Sequence, residues 1–255
     1  MVFETFICSS DNTHDVFEPI FLKNSSVFHL WPNKIFVGCN KNTKNKPFST
    51  IASPLLGGWR QELLHQLTEL KKQTTADYVF LLLDDFYFFE TISYEVIKKH
   101  VSYASDNKLD YLRLVKLRRS FIASILLYFS TKRREYIQLK PTEPYYTSLQ
   151  PAIWRIDYLL ELLSMPCNIW EFEHLVYTNS KHSAVTKDFL SFSHLVEKGK
   201  WLPKALNIID SRFHAAMRSR GIHRYSFFNK PIVSSIKFYI FGYLILKSRK
   251  YLFSK

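Results

Sequence analysis

The feature that most constrains the fold is a run of apolar residues that ends abruptly at two carboxylates. Residues 79–83 read Val-Phe-Leu-Leu-Leu, and Asp84 and Asp85 follow directly. Such a run predicts a strand that is buried on both faces, as in a mostly parallel sheet. Because side chains alternate along a strand, only one of the two Asp side chains faces a cleft unless the chain turns there, and Phe86 and the aromatic residues after it favour a turn.

Asp84 and Asp85 stand at the predicted carboxyl end of this strand, where ligands bind in open α/β sheets. Two carboxylates at that edge suit a phosphate-bound metal or a sugar hydroxyl. The alternative is that they begin a loop and cap the next helix, as Asp often does. Asp11 follows the first predicted strand and lies at the same edge, where it meets a nucleobase or ribose or only shapes a turn.

Strands and helices alternate in the first half of the chain. Strands are predicted at 2–8, 34–39, 77–85 and 110–115, and helices at 15–30, 59–72 and 92–105. This alternation indicates an α/β fold with a mostly parallel sheet flanked by helices. The second half is less regular. There the sequence predicts a strand at 145–150, a helix at 153–163 and a helix near Trp170 that Asn168 caps, with 40–57 as a loop and 116–134 as an excursion.

The charge of the chain is concentrated at its C-terminus. The 255 residues carry a net charge of +13, and residues 201–255 hold 11 Lys and Arg against one acidic residue. This pattern indicates a tail that meets an anionic surface, and it disfavours a domain that wraps nucleic acid. Nucleic-acid binding is kept as an alternative function. Three cysteines without metal-ligand spacing, Cys8, Cys39 and Cys167, indicate a reducing compartment.

The sequence predicts a domain at 1–205 and a basic, aromatic helical extension at 206–255. Within the extension, residues 232–253 interleave aromatic and aliphatic residues with Lys and Arg, and the apolar centre of nine residues, 238–246, is too short to span a bilayer. It is long enough to lie in the interface, with its basic residues against anionic lipid. The alternative is a helix that packs on the domain or makes a homodimer.

Two carboxylates in the segment Trp170-Glu171-Phe172-Glu173 are candidates for a general base. Residues two apart on a helix point about 200° away from each other, so only one of Glu171 and Glu173 enters a given cleft. A carboxylate walled by the rings of Trp170 or Phe172 would have its pKa raised toward that of a useful base. The alternative is an ordinary helix start, where Glu is favoured by the helix dipole.

A second candidate group lies at 148–155. Gln150, Trp154 and Arg155 bring an amide, an indole and a guanidinium close together in sequence, which suits a sugar or a phosphate. The alternative places Trp154 in the core and Arg155 on the surface. The sequence contains no Gly-rich phosphate loop, so phosphate must be held by side chains or by a metal.

Several short motifs together resemble one family, the bacterial GT-A-like glycosyltransferases encoded with lipopolysaccharide and capsule genes. The resemblance covers residues 1–205 and rests on a helix opened by Trp59 and on the motifs at 81–86, 111–114, 149–155, 170–173 and 194–201. It implies a nucleotide-sugar donor and a saccharide acceptor on a lipid carrier. It therefore implies a cytoplasmic protein that is peripheral on the inner face of the bacterial inner membrane.

The resemblance also implies roles for individual residues. Asp84, Asp85 and Arg113 would bind the donor, with Asp85 as a ligand of Mn²⁺ or Mg²⁺. Glu173 would be the base, with Glu171 as the second candidate. One positioned base without an evident nucleophile predicts an inverting transfer. Gln150, Trp154 and Trp170 would contact the acceptor or the sugar. The Asp-Asp pair departs from the family's Asp-x-Asp, which leaves metal dependence open, and a metal-dependent phosphohydrolase that uses the same pair is the other alternative.

Overall fold

The computed structural model describes residues 2–28, 30–40, 48–116, 134–143, 146–173, 175 and 179–223. Its strands are β1 Phe3–Cys8, β2 Ile35–Cys39, β3 Ser49–Ala52, β4 Tyr78–Leu83, β5 Phe86–Phe88, β6 Tyr111–Arg113, β7 Tyr136–Gln138, β8 Ala152–Arg155, β9 His182–Val185, β10 Phe192–His194, β11 Val196–Glu197 and β12 Lys200–Trp201. Its helices are α1 His14–Asn24, α2 Trp59–Gln73, α3 Tyr94–Asp106, α4 Ile156–Ser164, α5 Ile169–Phe172, α6 Ala205–Ile208 and α7 His214–Arg220.

The centre of the fold is a sheet with the strand order β3-β2-β1-β4-β8-β6-β9-β7. Strands β3, β2, β1 and β4 are parallel neighbours, and β6 and β9 run in the same direction as they do. Strands β8 and β7 run the opposite way. The prediction of a mostly parallel sheet is therefore confirmed.

The path of the chain through the sheet creates a switch point between β1 and β4. From β1 the chain moves outward through β2 to β3, and then returns to β4 on the other side of β1. Ligands of open α/β sheets bind beyond the carboxyl ends of the strands at such a point. The topology therefore favours a ligand site between Ser9, after β1, and Asp84, after β4.

Both faces of β4 are covered, as the uninterrupted apolar run predicts. Phe80 and Leu82 pack in a cluster with residues of α1 and α3, whereas Val79 and Leu81 pack on the opposite face with residues of α2 and α4. All four β4 side chains are at most 1% exposed. Successive β4 side chains thus enter alternate layers, which fixes the strand and the turn that follows it.

Two local predictions are wrong. Residues 146–150 form no strand, and the strand lies at β8, Ala152–Arg155, which the sequence analysis assigns to the start of a helix. β8 pairs antiparallel with both β4 and β6, and long-range pairing overrides the local helical pattern. The region 40–57 contains β3, whose short polar sequence Ser-Thr-Ile-Ala suits an edge strand and lacks an apolar run.

Residues 205–223 pack against α1. Val16 and Ile20 of α1 are buried with Trp201, Ile209 and Met217 in a third apolar cluster. The division of the chain at 205 stays a prediction, and the segment 232–253 lies outside the described residues. Within the part of the chain that the structure describes, no helix combines the length and the apolar composition needed to cross a membrane.

Candidate active site

The carboxyl ends of β1 and β4 open into a cleft of about 570 Å³. This volume lies within the range of about 300–1,000 Å³ that is usual for small-molecule sites. The cleft is lined by the turn after β1, the first turns of α2, the Asp pair after β4 and residues near the end of the described chain; its polar and charged side chains are Ser9, Ser10, Asn12, Thr13, Glu62, Gln66, Asp84, Asp85, Lys198 and Arg220. The cleft therefore occupies the switch point of the sheet.

Asp84 and Asp85 form the turn between β4 and β5, and both line the cleft. The chain turns because β5 leaves the central sheet and pairs antiparallel with β10. Ser9 donates a hydrogen bond from Oγ to Oδ2 of Asp84 at 2.9 Å. Burial, opposed by a hydrogen bond from Thr13 and reinforced by the charge of Asp85, raises the pKa of Asp84 to about 7.

Asp85 is connected to Gln150 through His194. The Asp85 Oδ2 atom lies 3.2 Å from His194 Nδ1, and His194 Nε2 lies 3.1 Å from Gln150 Nε2. The neutral tautomer with the proton on Nδ1 fits both contacts, since it donates to the carboxylate and accepts from the amide. The other carboxylate oxygen of Asp85, Oδ1, is buried and has no hydrogen-bond partner within the described part of the chain.

Glu173 follows α5 and is held against the segment before β8. Its Oε1 atom accepts hydrogen bonds from the Leu149 N–H and the Ser148 hydroxyl, both at 3.4 Å. Burial raises the pKa of Glu173, and these hydrogen bonds and the charge of Arg113 oppose the rise. Because Gln150 follows directly, one short segment connects Glu173 with the Asp85–His194 pair.

Glu171 has a structural partner instead. Asn168 Oδ1 accepts from the Glu171 N–H at 3.0 Å, and Glu171 Oε2 accepts from the Asn168 N–H at 2.9 Å. This reciprocal pair is a capping box, so the prediction that Asn168 caps this helix is confirmed. Of the two glutamates, Glu173 is therefore the one that the structure connects to the Asp pair.

Arg113 ends β6 at the same edge of the sheet. It is 8% exposed, and its Nε and Nη1 atoms have no hydrogen-bond partner in the described residues. Buried donors of a cation are costly when they lack hydrogen bonds, so these two atoms are arranged for an anion or another acceptor that the described part of the chain does not supply. The positive charge of Arg113 opposes the rise in the pKa of Glu173, so the two groups interact electrostatically.

Three other predicted site residues have different outcomes. Trp154 is 0% exposed and packs with Tyr111 and Phe172, so the structure bears out the alternative that it belongs to the core. Its ring has no face for a sugar. Asp11 begins a short 3-10 turn and Trp170 lies in α5, but their side chains lie outside the described residues.

Sequence reasoning missed four residues of the site. Ser9 binds Asp84, His194 binds Asp85, Glu62 lines the cleft from α2, and Arg220 lines it from α7. His194 lies 109 residues from Asp85 and reaches it only because β10 pairs with β5. The local signals were the polar segment 9–13 after the first strand, which places Ser9 at the ligand edge, and the motif at 194–201, which begins with His194 but gave that residue no role.

The carboxylates of the cleft offer a divalent cation few protein ligands. The described residues contain no group of three His, Cys, Asp or Glu side chains that would hold a metal ion. Mg²⁺ in phosphate-binding sites usually takes one or two carboxylates, with substrate phosphates and waters as its other ligands. The unpartnered Oδ1 of Asp85 fits a cation that is completed in this way by a substrate.

Comparisons with known proteins bear on the fold. No family model and no curated protein sequence matches the chain. The crystal structure of S. aureus TarS residues 1–349 in complex with UDP-GlcNAc matches with a TM-score of 0.50 at 15% identity, over 79% of this chain and 60% of that chain. The mannosyltransferase PcManGT from Pyrobaculum calidifontis, in complex with GDP-Man and Mn²⁺, matches with a TM-score of 0.43 at 11% identity, over 77% of this chain and 58% of that chain.

The match to TarS confirms the predicted GT-A-like α/β fold. At 15% identity the match to TarS concerns the fold alone. The match to PcManGT has a lower TM-score and adds no support for the fold. This chain spans about 60% of the length of the TarS structure that it matches.

Proposed function

We propose that this protein is a glycosyltransferase that moves a sugar from a nucleotide-sugar donor to a saccharide acceptor. One observation carries the proposal. The cleft at the switch point has a carboxylate pair at its base, and His194 and Gln150 connect this pair to a buried carboxylate, Glu173. The fold shared with TarS, which was solved with UDP-GlcNAc, supports a nucleotide sugar as the ligand.

The donor diphosphate would lie between Asp85 and Arg113. The Nε and Nη1 atoms of Arg113, which have no partner among the described residues, would donate to the diphosphate oxygens. Asp85 would hold Mg²⁺ or Mn²⁺ through Oδ1, and the cation would offset the negative charge that develops on the leaving diphosphate. His194 would keep Asp85 in place through its contact with Oδ2.

Glu173 would act as the general base. Its carboxylate would take the proton from an acceptor hydroxyl as that oxygen bonds to the anomeric carbon. The bond from the anomeric carbon to the diphosphate breaks in the same displacement, and the nucleoside diphosphate leaves with the electron pair. A single displacement inverts the anomeric configuration, and burial of Glu173 raises its pKa in the direction that a base near neutral pH requires.

A nucleotide or nucleotide sugar is expected to raise the melting temperature of the protein. Ligand that binds only the folded state stabilises it by about 2.7 kcal/mol at a hundredfold excess over Kd, which is measurable. The experiment is a thermal-shift screen of UDP, GDP, CDP, UDP-GlcNAc and GDP-Man, each with Mn²⁺ and with EDTA. If every compound leaves the melting temperature unchanged under both conditions, the donor site does not exist.

The biological setting in bacterial surface polysaccharide synthesis, either lipopolysaccharide, O-antigen or capsule, rests on the sequence resemblance. In this proposal residues 232–253 hold the enzyme on the cytoplasmic leaflet, where a lipid-linked acceptor is found. Each Lys or Arg near an anionic membrane adds about 1 kcal/mol. The full chain is therefore expected to co-sediment with anionic liposomes more than with neutral ones, and a chain ending at Asn229 is expected to lose this preference. Equal sedimentation of the two chains would contradict the anchor.

A further inference from the structure

We propose that the carboxylate of Glu62 recognises the nucleoside half of the donor by accepting hydrogen bonds from a pair of neighbouring N–H or O–H groups. The inference rests on the proposed function and assigns a specificity residue within it. Glu62 belongs to neither the Asp pair nor the base, and no sequence motif pointed to it.

Glu62 lies in the first turn of α2 and is 7% exposed, yet it lines the cleft. Leu63 and Leu67, on the adjoining face of the same helix, are fully buried in the core. The charge of Glu62 contributes to raising the pKa of the Cys8 thiol at the end of β1, after burial and the charge of Asp84. This places the carboxylate beside the end of β1, at the switch point.

The carboxylate of Glu62 has no hydrogen bond or ion pair with any residue that the structure describes. Glu69, two turns further along α2, is the opposite case, because it pairs with Lys72 at 2.6 Å at the surface. The Glu62 oxygens are not among the buried polar atoms that lack a partner, so they meet the solvent of the cleft. A ligand that enters the cleft with its own donors would give this carboxylate the partners that the described part of the chain does not supply.

The position of Glu62 is fixed by the next turn of the helix. Gln66 donates from Nε2 to the Ser9 carbonyl at 3.2 Å and is fully buried. Its amide packs directly on Gly38 of β2, where an added Cβ would lie 2.2 Å from Oε1. These contacts hold α2 against the ends of β1 and β2, so the helix position of Glu62 is fixed beside the cleft.

The order of strands assigns Glu62 to the nucleoside side of the cleft. The reacting sugar must lie near Glu173, which is connected to the segment before β8, and Arg113 ends β6. Strands β8 and β6 lie on one side of β4, whereas β1 and β2 lie on the other. A donor that spans the Asp pair with its sugar toward Glu173 therefore extends its nucleoside over β1, toward Glu62.

A carboxylate only accepts hydrogen bonds, which limits what it recognises. Two adjacent donors occur in the 2′,3′-diol of ribose and in the N1–H and N2–H edge of guanine. The edge of uracil offers a single N–H. The shared chemistry is thus a paired donor, and nucleotide analogues separate its two sources.

The test is calorimetric titration of UDP, GDP, CDP and their 2′-deoxy analogues into the wild type, Glu62→Gln and Glu69→Gln. Loss of charge-assisted hydrogen bonds predicts that the preferred nucleotide binds roughly tenfold or more weakly to Glu62→Gln. Glu69→Gln changes a carboxylate of the same helix outside the cleft, and it should bind within about twofold of the wild type. The ligand-free melting temperature of Glu62→Gln should stay close to that of the wild type, since the carboxylate faces the cleft and pairs with no residue that the structure describes.

The pattern across analogues identifies the donor pair. If the ribose is read, 2′-deoxy analogues bind the wild type weakly and lose no further affinity in Glu62→Gln. If guanine is read, the preference for GDP disappears in Glu62→Gln while the 2′-deoxy effect stays. Unchanged affinity of a folded Glu62→Gln for every nucleotide that binds the wild type overturns the inference alone. Absence of any nucleotide binding to the wild type overturns the proposed function and the inference with it.

Discussion

Glu173→Gln is expected to reduce turnover of the donor by about 100- to 10,000-fold, the range found for general bases. Glutamine keeps an oxygen that can accept from the Leu149 N–H and the Ser148 hydroxyl, so the local structure is retained. It cannot take a proton, so the acceptor hydroxyl is no longer activated. The measurement is kcat for transfer or, with water in place of the acceptor, for donor hydrolysis, and nucleotide affinity should stay within a few-fold of the wild type.

Glu171→Gln is the matched control, because it lies two residues away and its carboxylate belongs to the capping box with Asn168. It should lower stability by up to about 1 kcal/mol and leave kcat nearly unchanged. The wild-type pH profile gives a second criterion. Burial raises the pKa of Glu173, and the base works when it is deprotonated, so kcat should fall as pH drops through that raised pKa. A Glu173→Gln enzyme with full turnover, or one that keeps this acid limb, would contradict the assignment.

Asp85→Asn is expected to reduce turnover by about 100-fold or more, the scale of losing one electrostatic contact to the transition state. The variant removes a negative charge whose Oδ1 atom has no partner among the residues that the structure describes and whose Oδ2 atom faces His194. Stimulation of the wild type by Mn²⁺ over EDTA should also be lost, since an amide is a poorer ligand for a hard cation than a carboxylate. Initial rates of donor hydrolysis with each addition measure both effects.

Asp157→Asn is the control for this second variant. Asp157 lies on α4 and pairs with Lys71 at the surface, outside the cleft. Its loss should leave the rate and the Mn²⁺ response unchanged, because exposed ion pairs contribute little. If Asp85→Asn retains the rate and the Mn²⁺ response of the wild type, Asp85 has no part in donor chemistry.

The parts of the fold that could be predicted are those encoded by neighbouring residues. The apolar run at 79–83 predicts a strand covered on both sides, and β4 has that environment. The helix cap at Asn168 is likewise local, because it depends only on residues 168–171. Strand β8 was missed because its conformation depends on pairing with β4 and β6. Its Ile153 pairs with Phe80 and with Leu112, which are 73 and 41 residues earlier, and no local pattern records that pairing.

The residues of the candidate site likewise divide into those beside a local sequence signal and those that only the tertiary structure brings to the cleft. Asp84, Asp85 and Glu173 stand beside strong local signals, a strand end and a helix start, and sequence reasoning could find them. His194 and Glu62 carry no such signal. His194 depends on the pairing of β10 with β5, and Glu62 is one of several glutamates on an amphipathic helix until the helix is placed against β1. Trp154 was ambiguous because a buried indole and a sugar-binding indole look alike in sequence.

The contact made by Arg220 has a consequence for how this protein can be shortened. Its guanidinium donates to the carbonyl of Asn12 at 2.6 Å and pairs with the carboxylate of Asp15. A fragment that ends at residue 205 would lack Arg220, so the Asn12 carbonyl and the Asp15 carboxylate would lose this partner. It would also remove Ile209 and Met217 from the apolar cluster around Val16 and Ile20. Two stretches more than 200 residues apart thus form one wall of the cleft, so the shortest fragment that keeps this wall must extend through Arg220.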